Sequence, residues 1–238
     1  MPNLIIDIGN TRIKSAIFEG SILIQEWVHQ ELAEAQVDWK KQAFHQSIIS
    51  SVRWTMEELS KILNFEFLFL NHQTELPIQN DYTTPQSLGL DRIAAAVGAW
   101  QMAGKQEVLA IDLGSCMTVE FVDDQHRYKG GVISPGLKMR ARAMHEFTAK
   151  LPLISLENPS KEILGNSTIT CMESGVWFGI QFEIMGQIRH YQKKYPKIKV
   201  FVCGGDAQSF DSLAKDHIFV VPNLVLHGLN CILNHNVE

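Results

Sequence analysis

The chain has 238 residues, 45% of them apolar, and a formal net charge of -5 at pH 7. That supplies one large core or two modest ones, and the mildly acidic balance gives no electrostatic basis for a nucleic-acid or anionic-membrane surface. No apolar run is long enough to span a bilayer, and Cys116, Cys171, Cys203 and Cys231 lack any Cys-x-x-Cys spacing. They read as buried free thiols of a reducing compartment, so the expected location is the cytoplasm.

The first predicted element is the buried strand that ends Ile5-Ile6-Asp7-Ile8-Gly9-Asn10-Thr11. A near-continuous apolar strand is covered on both faces, so a carboxylate near its end is costly unless a cation or strong hydrogen bonds meet it. A metal-borne phosphate would supply that cation. Gly9 offers an amide that can approach an anion closely, and Asn10 and Thr11 offer donors. The stretch from Arg12 to Phe18 alternates as a half-exposed strand, Glu19-Gly20 turns it, and Ile22 to Val28 returns, giving an antiparallel meander. A weak helix over Glu31 to Phe44 follows, then a buried strand over Ser47 to Val52, a helix over Met56 to Leu63 and a strand within Phe65 to Leu70. Pro77 to Pro85 reads as polar loop and Leu90 to Met102 as a helix, with the joint at Gly104-Lys105-Gln106.

The second half restarts in the same order. A strand over Val108 to Asp112 breaks on Asp112-Leu113-Gly114-Ser115, followed by strands over Met117 to Asp123 and Tyr128 to Ile133. Ser134-Pro135-Gly136 precedes a helix to about His145. A long helix carries Met172, Val176, Ile180, Ile184, Ile188 and Tyr191 in one stripe, with Gly175, Gly179 and Gly186 on or near it to admit another backbone. A short strand then runs into Gly204-Gly205-Asp206, and a strand over Ile218 to Val221 and a final helix close the chain. Domains of about 1–105 and 106–238 are expected.

Neither Gly-x-x-x-x-Gly-Lys-Ser/Thr nor Gly-x-Gly-x-x-Gly follows a strand, so the two commonest phosphate loops are absent. Two Asp-x-Gly turns heading duplicated meanders instead resemble the sugar kinase, actin and Hsp70 superfamily. Its α/β fold has two ribonuclease-H-like halves that close on a nucleotide. A second informative stretch runs from Tyr82 through Pro85 to Gly89-Leu90-Asp91-Arg92. Asp91 could take a proton from a hydroxyl or cap the helix that follows. Arg92 offers a planar fork suited to phosphate or carboxylate, or could pair with its neighbour.

The whole set of motifs resembles the type III pantothenate kinases. Asp7-Ile8-Gly9-Asn10-Thr11-Arg12-Ile13-Lys14 is similar to that family's nucleotide-phosphate motif, and Tyr82, Pro85 and Gly89 to Arg92 to its substrate motif. Asp112 to Ser115, Gly130 to Gly136, Gly165 to Thr168 with Ser174-Gly175, and Cys203 to Ala207 follow in family order. The resemblance implies transfer of the ATP γ-phosphoryl group to the primary hydroxyl of pantothenate, the entry step of coenzyme A synthesis. Asp91 would be the general base, with Tyr82, Gly89, Leu90 and Arg92 holding substrate. Residues Asp7 to Lys14 and Ser115 would bind ATP, with Asp7 facing magnesium-bound phosphates. Asp112 would hold a monovalent cation, potassium or ammonium, and Thr168 would reach substrate at a homodimer interface.

Here Ser115-Cys116 stands where the family commonly has Thr-Ala, and Glu120 where an aspartate is common, with cation geometry near Asp112 as the expected consequence. His145-Glu146 invites a zinc reading, but position 149 is Ala149, so the His-Glu-x-x-His set is incomplete. The rival readings are another small-molecule kinase of the superfamily and a non-catalytic regulator that kept the fold. The presence of Asp7, Asp91 and Asp112 together argues against a decayed site.

Overall fold

The computed structural model describes residues 2–157, 159, 162–213 and 217–237. In chain order its first elements are β1 (Pro2–Ile8), β2 (Ile13–Glu19), β3 (Ile22–His29), α1 (Leu32–Trp39), β4 (Gln46–Ser51), α2 (Met56–Ile62), β5 (Leu68–Phe69), β6 (Gln79–Asn80) and α3 (Leu90–Met102). There follow β7 (Val108–Leu113), β8 (Cys116–Val122), β9 (Arg127–Pro135), α4 (Leu137–Glu146), α5 (Thr168–Lys194), β10 (Lys199–Cys203), β11 (Ile218–Val220) and α6 (Leu224–Val237). The chain divides into two units: Met1–Val108 with Glu120–Gly130 and Asn223–Glu238, and Leu109–Val119 with Gly131–Pro222.

In the first unit the strands run in the order β3-β2-β1-β4-β5, with β2 antiparallel and β4 parallel to β1. Side chains alternate across a strand, so Leu4, Ile6 and Ile8 share one face of β1, where they join Trp39 and Leu59 of α1 and α2 in a buried cluster. The indole of Trp39 donates to Ser15 Oγ at 2.9 Å, which settles the polar atom that comes with its bulk. Helix α2 starts on a reciprocal capping box between Thr55 and Glu58. The opposite face of β1 carries Asn3, whose amide donates to Asn230 at 3.1 Å and Asn234 at 2.8 Å on α6. Helix α6 therefore completes the core of the unit that begins the chain.

Helices α3 and α6 touch backbone to backbone. A Cβ at Gly228 would overlap the Ala94 carbonyl, and one at Gly98 would overlap the Leu224 carbonyl. The run Ala94-Ala95-Ala96, fully buried, lines this crossing. Helical periodicity predicts α3 correctly, whereas its glycine contact with α6 has no signature in either segment taken alone.

The strands of the second half take the order β11-β10-β7-β8-β9. Counted from the first strand of each half, this is the same 3-2-1-4-5 arrangement as in the first unit, so the duplication read from sequence extends to topology. The far ends of β8 and β9 belong to the first unit, where Gln79 and Asn80 of β6 pair in parallel with Arg127 and Tyr128. A two-residue strand carries no period, which is why the polar loop reading missed it.

Helix α5 opens on a capping box between Ser167 and Thr170. Its buried residues include Met172, Val176, Ile180, Ile184 and Ile188, as the stripe predicts. A Cβ on Gly175, Gly179 or Gly186 would meet nothing within 4 Å, so no backbone of this chain packs against these three glycines. The cysteine reading needs correction. None of the four cysteines forms a disulfide, but only Cys203 is buried, Cys116 and Cys231 are half-buried, and Cys171, near the start of α5, is exposed.

Candidate active site

Asp7 is the penultimate residue of β1, opposite Lys14 on β2 and level with Ser50 on β4. The chain then leaves the sheet in a tight turn closed by the Gly9 amide, which donates to the Arg12 carbonyl at 3.0 Å. That changes the expected use of Gly9: its amide shapes the turn rather than pointing outward for an anion. What the turn presents is Asn10, Thr11 and Arg12, all exposed, while Ile8 and Ile13 anchor its two ends in the core.

In the second unit the turn after β7 is also closed by its glycine, with the Gly114 amide donating to the Cys116 carbonyl, two residues on, at 3.0 Å. Here two distant motifs close in. Gly204, at a φ of +99° open to glycine alone, brings its backbone against the Leu113 carbonyl, and a Cβ there would lie 2.5 Å from Asp112 Oδ1. Gly136 donates to the Ser115 carbonyl at 3.1 Å, and Asp206 to the Leu113 carbonyl at 3.0 Å. The segments around Gly136 and Gly204 thus act as walls for the Asp112–Ser115 turn, leaving Ser115 exposed.

The third constellation stands at the start of α3. Gly89 occupies the N-cap position and Asp91 lies in the first turn, so Asp91 is not the cap. Its carboxylate folds back, accepting the Arg92 amide at 2.9 Å, and a Cβ on Gly89 would approach Oδ1 to 2.6 Å. Asp91 remains exposed, whereas Arg92 is buried. Arg92 does not pair with its neighbour: its Nε and Nη2 donate to the two oxygens of Glu120 at 2.7 and 2.8 Å. Glu120 is 1% exposed and also accepts the Tyr128 hydroxyl at 2.6 Å. Burial, then the adjoining Glu120 carboxylate, pushes the Tyr128 phenol well above its ordinary pKa. Burial works against the Arg92 charge, but Glu120 outweighs it and holds the guanidinium firmly protonated.

Tyr82 completes this group. The Arg92 guanidinium lies 5.8 Å from the centroid of its ring, which is 6.1 Å from that of Tyr128. Gly130, at a φ of +88°, lies flat against the Tyr82 ring, where a Cβ would come within 3.1 Å. Glu120, expected to influence cation geometry near Asp112, instead gives its carboxylate to Arg92 and Tyr128. The signal available was a lone acid on a buried strand position, the kind that requires a partner.

Thr168 is the first residue of α5 and exposed. It borders an open depression of about 770 Å³ shared with Met144, Leu151, Asn166 and Met172. Among the described residues, no group of three or more His, Cys, Asp and Glu could hold a metal ion, and no helix is long and apolar enough to cross a membrane.

Solved structures of the same architecture give the fold. The chain resembles a protein assigned to the Baf family of transcriptional activators from Campylobacter jejuni, with TM-score 0.62 and 22% identity over 98% of both chains. It also resembles Lmo2764 of Listeria monocytogenes, assigned as an N-acetylmannosamine kinase, with TM-score 0.59 and 12% identity over the whole of both chains. The fold is the duplicated α/β fold of the sugar kinases, actin and Hsp70. Sequence then narrows it: the type III pantothenate kinase family model matches residues 3–190, and the type III pantothenate kinase of Bacteroides fragilis strain YCH46 is 42% identical over 240 residues, 98% of each chain. The chain belongs to the type III pantothenate kinase family. Its reaction is ATP-dependent phosphorylation of pantothenate in coenzyme A biosynthesis, and the regulator and sugar-kinase alternatives are not favoured.

Proposed function

We propose that Asp91 is the general base of this reaction, taking the proton of the pantothenate primary hydroxyl as that oxygen attacks the γ-phosphorus of ATP. The observation that carries this is the exposed carboxylate at the first turn of α3, held over Gly89 beside a buried Arg92 that pairs with Glu120. Tyr82, Gly89, Leu90 and Arg92 form the substrate segment around it. Asp7 to Lys14 and Ser115 bind ATP, with Asp7 toward the magnesium-bearing phosphates. Phosphoryl transfer asks chiefly for alignment and charge neutralisation, and magnesium, when bound, supplies the neutralisation. Asp112, a carboxylate near the end of an apolar strand, suits a hard monovalent cation, potassium or ammonium. Thr168 reaches substrate in a cytoplasmic homodimer.

Coupled assays with pantothenate and a panel of sugars, in potassium, ammonium or sodium salts, test this assignment. Turnover is expected with pantothenate alone and at higher rate in potassium or ammonium, and Asp112→Ala is expected to abolish the cation dependence. Equal stimulation of Asp112→Ala would remove Asp112 from the cation site, and turnover of a sugar in place of pantothenate would remove the substrate assignment.

Gly89→Ala gives a second test. With φ of -59° and ψ of 128°, the backbone at position 89 accepts alanine without strain. The new methyl displaces the Asp91 carboxylate instead. A misplacement of about 1 Å can cost ~10²-fold in rate, so kcat is expected to fall about ten- to a hundredfold. Stability should change by no more than about 0.5 kcal/mol. Steady-state kinetics beside a thermal melt separate the two effects.

A further inference from the structure

Glu120 is buried, charged and unused by the reaction as so far described. Desolvating a carboxylate and a guanidinium costs so much that apolar residues of the same volume are often as stable. A buried pair one residue from the proposed base therefore calls for a reason other than stability. The bonding supplies one. Both oxygens of Glu120 grip the Arg92 fork, at 2.7 and 2.8 Å, which fixes the guanidinium in plane and in depth. The Tyr128 hydroxyl, at 2.6 Å from the oxygen that meets Nη2, fixes Glu120 in turn. Arg92 carries the restraint back to its own backbone, and its amide is the donor on Asp91 Oδ1 at 2.9 Å.

We infer that Glu120 and Tyr128 are positioning residues for phosphoryl transfer: through Arg92 they set the first turn of α3, and so the direction in which the Asp91 carboxylate meets the substrate hydroxyl. The inference rests on Asp91 being the base. It assigns Glu120, on β8, and Tyr128, on β9, to a chain of contacts that reaches Asp91 through one side chain. It also gives Arg92 a task distinct from binding substrate with its fork.

The test is a double-mutant cycle between Tyr128→Phe and Asp91→Asn, assayed with ATP, magnesium and pantothenate, with Glu120→Gln as a third variant. Tyr128→Phe removes one hydroxyl and leaves the ring packing. It is expected to lower kcat about tenfold with the KM for ATP within twofold and the thermal midpoint close to wild type. Glu120→Gln is expected to lower kcat about a hundredfold, judged only if circular dichroism shows it folded; Tyr128→Phe decides the matter otherwise. In the Asp91→Asn background Tyr128→Phe should cause no further loss, because a mispositioned base matters only while there is a base. Wild-type kcat in Tyr128→Phe, or the same tenfold loss with and without Asp91, would overturn the positioning role. Failure of the base reading looks different: Asp91→Asn alone would then keep wild-type turnover, and the inference would fall with it.

Discussion

Asp91→Asn is expected to lower kcat by about 10²–10⁴-fold, the range supplied by a positioned general base, while the protein folds as before. The substitution keeps the shape of the side chain. The amide oxygen of asparagine can still accept the Arg92 N–H that the carboxylate accepts at 2.9 Å. What is lost is the capacity to take a proton. Since Asp91 is exposed, the change in stability should stay within about 0.5 kcal/mol. The KM for ATP should also hold, because the proposed nucleotide residues, Asp7 to Lys14 and Ser115, are untouched. Steady-state kinetics with ATP and pantothenate beside a urea titration check this. A variant with near-normal kcat would return the role of base to another group.

The largest expected effect on stability comes from Gly228→Ala. The added methyl would overlap the Ala94 carbonyl, and a second contact, to the Gly98 amide nitrogen, would stand at 3.0 Å. Both neighbours are backbone atoms of a buried helix, so no side chain can swing aside. Helices α3 and α6 would have to part. Overpacking typically costs about 1–3 kcal/mol and occasionally more, and a clash of backbone on both sides belongs at the upper end. At roughly 2–4 °C per kcal/mol for a chain of this size, the thermal midpoint should fall by about 6–12 °C. Activity should fall too, as α3 carries Asp91 on its first turn. An unchanged midpoint would show that the two helices are not in the contact described.

Much of this molecule is legible in its sequence, for physical reasons that also mark the boundary. The strands that end on Asp7 and Asp112 announce themselves because a carboxylate at the end of a fully apolar run is energetically out of place. The duplication is legible because the meander repeats its turns. Helix α5 shows its buried stripe because nearly thirty residues keep one period. The glycines are harder to read. The amide of Gly9 reads from sequence as free for an anion, yet it closes its own turn, a distinction made by the path of the chain three residues on. Gly98 and Gly228 look like helix-weakening residues until the other helix is in view. Glu120 carries a recognisable debt, a charge on a buried strand, but nothing in the sequence says that Arg92, on a different element, is what settles it.

The place of α6 has a consequence for how the protein is made. Asn3 on β1 and Gly98 on α3 both find their partners in residues 224–237, roughly 120 positions after α3 ends. At synthesis rates of about 5–20 residues per second, the nascent chain waits some 6–25 s with one side of its opening sheet uncovered. Ribosome-bound intermediates should therefore be protease-sensitive in their earliest segment until that last helix emerges and docks.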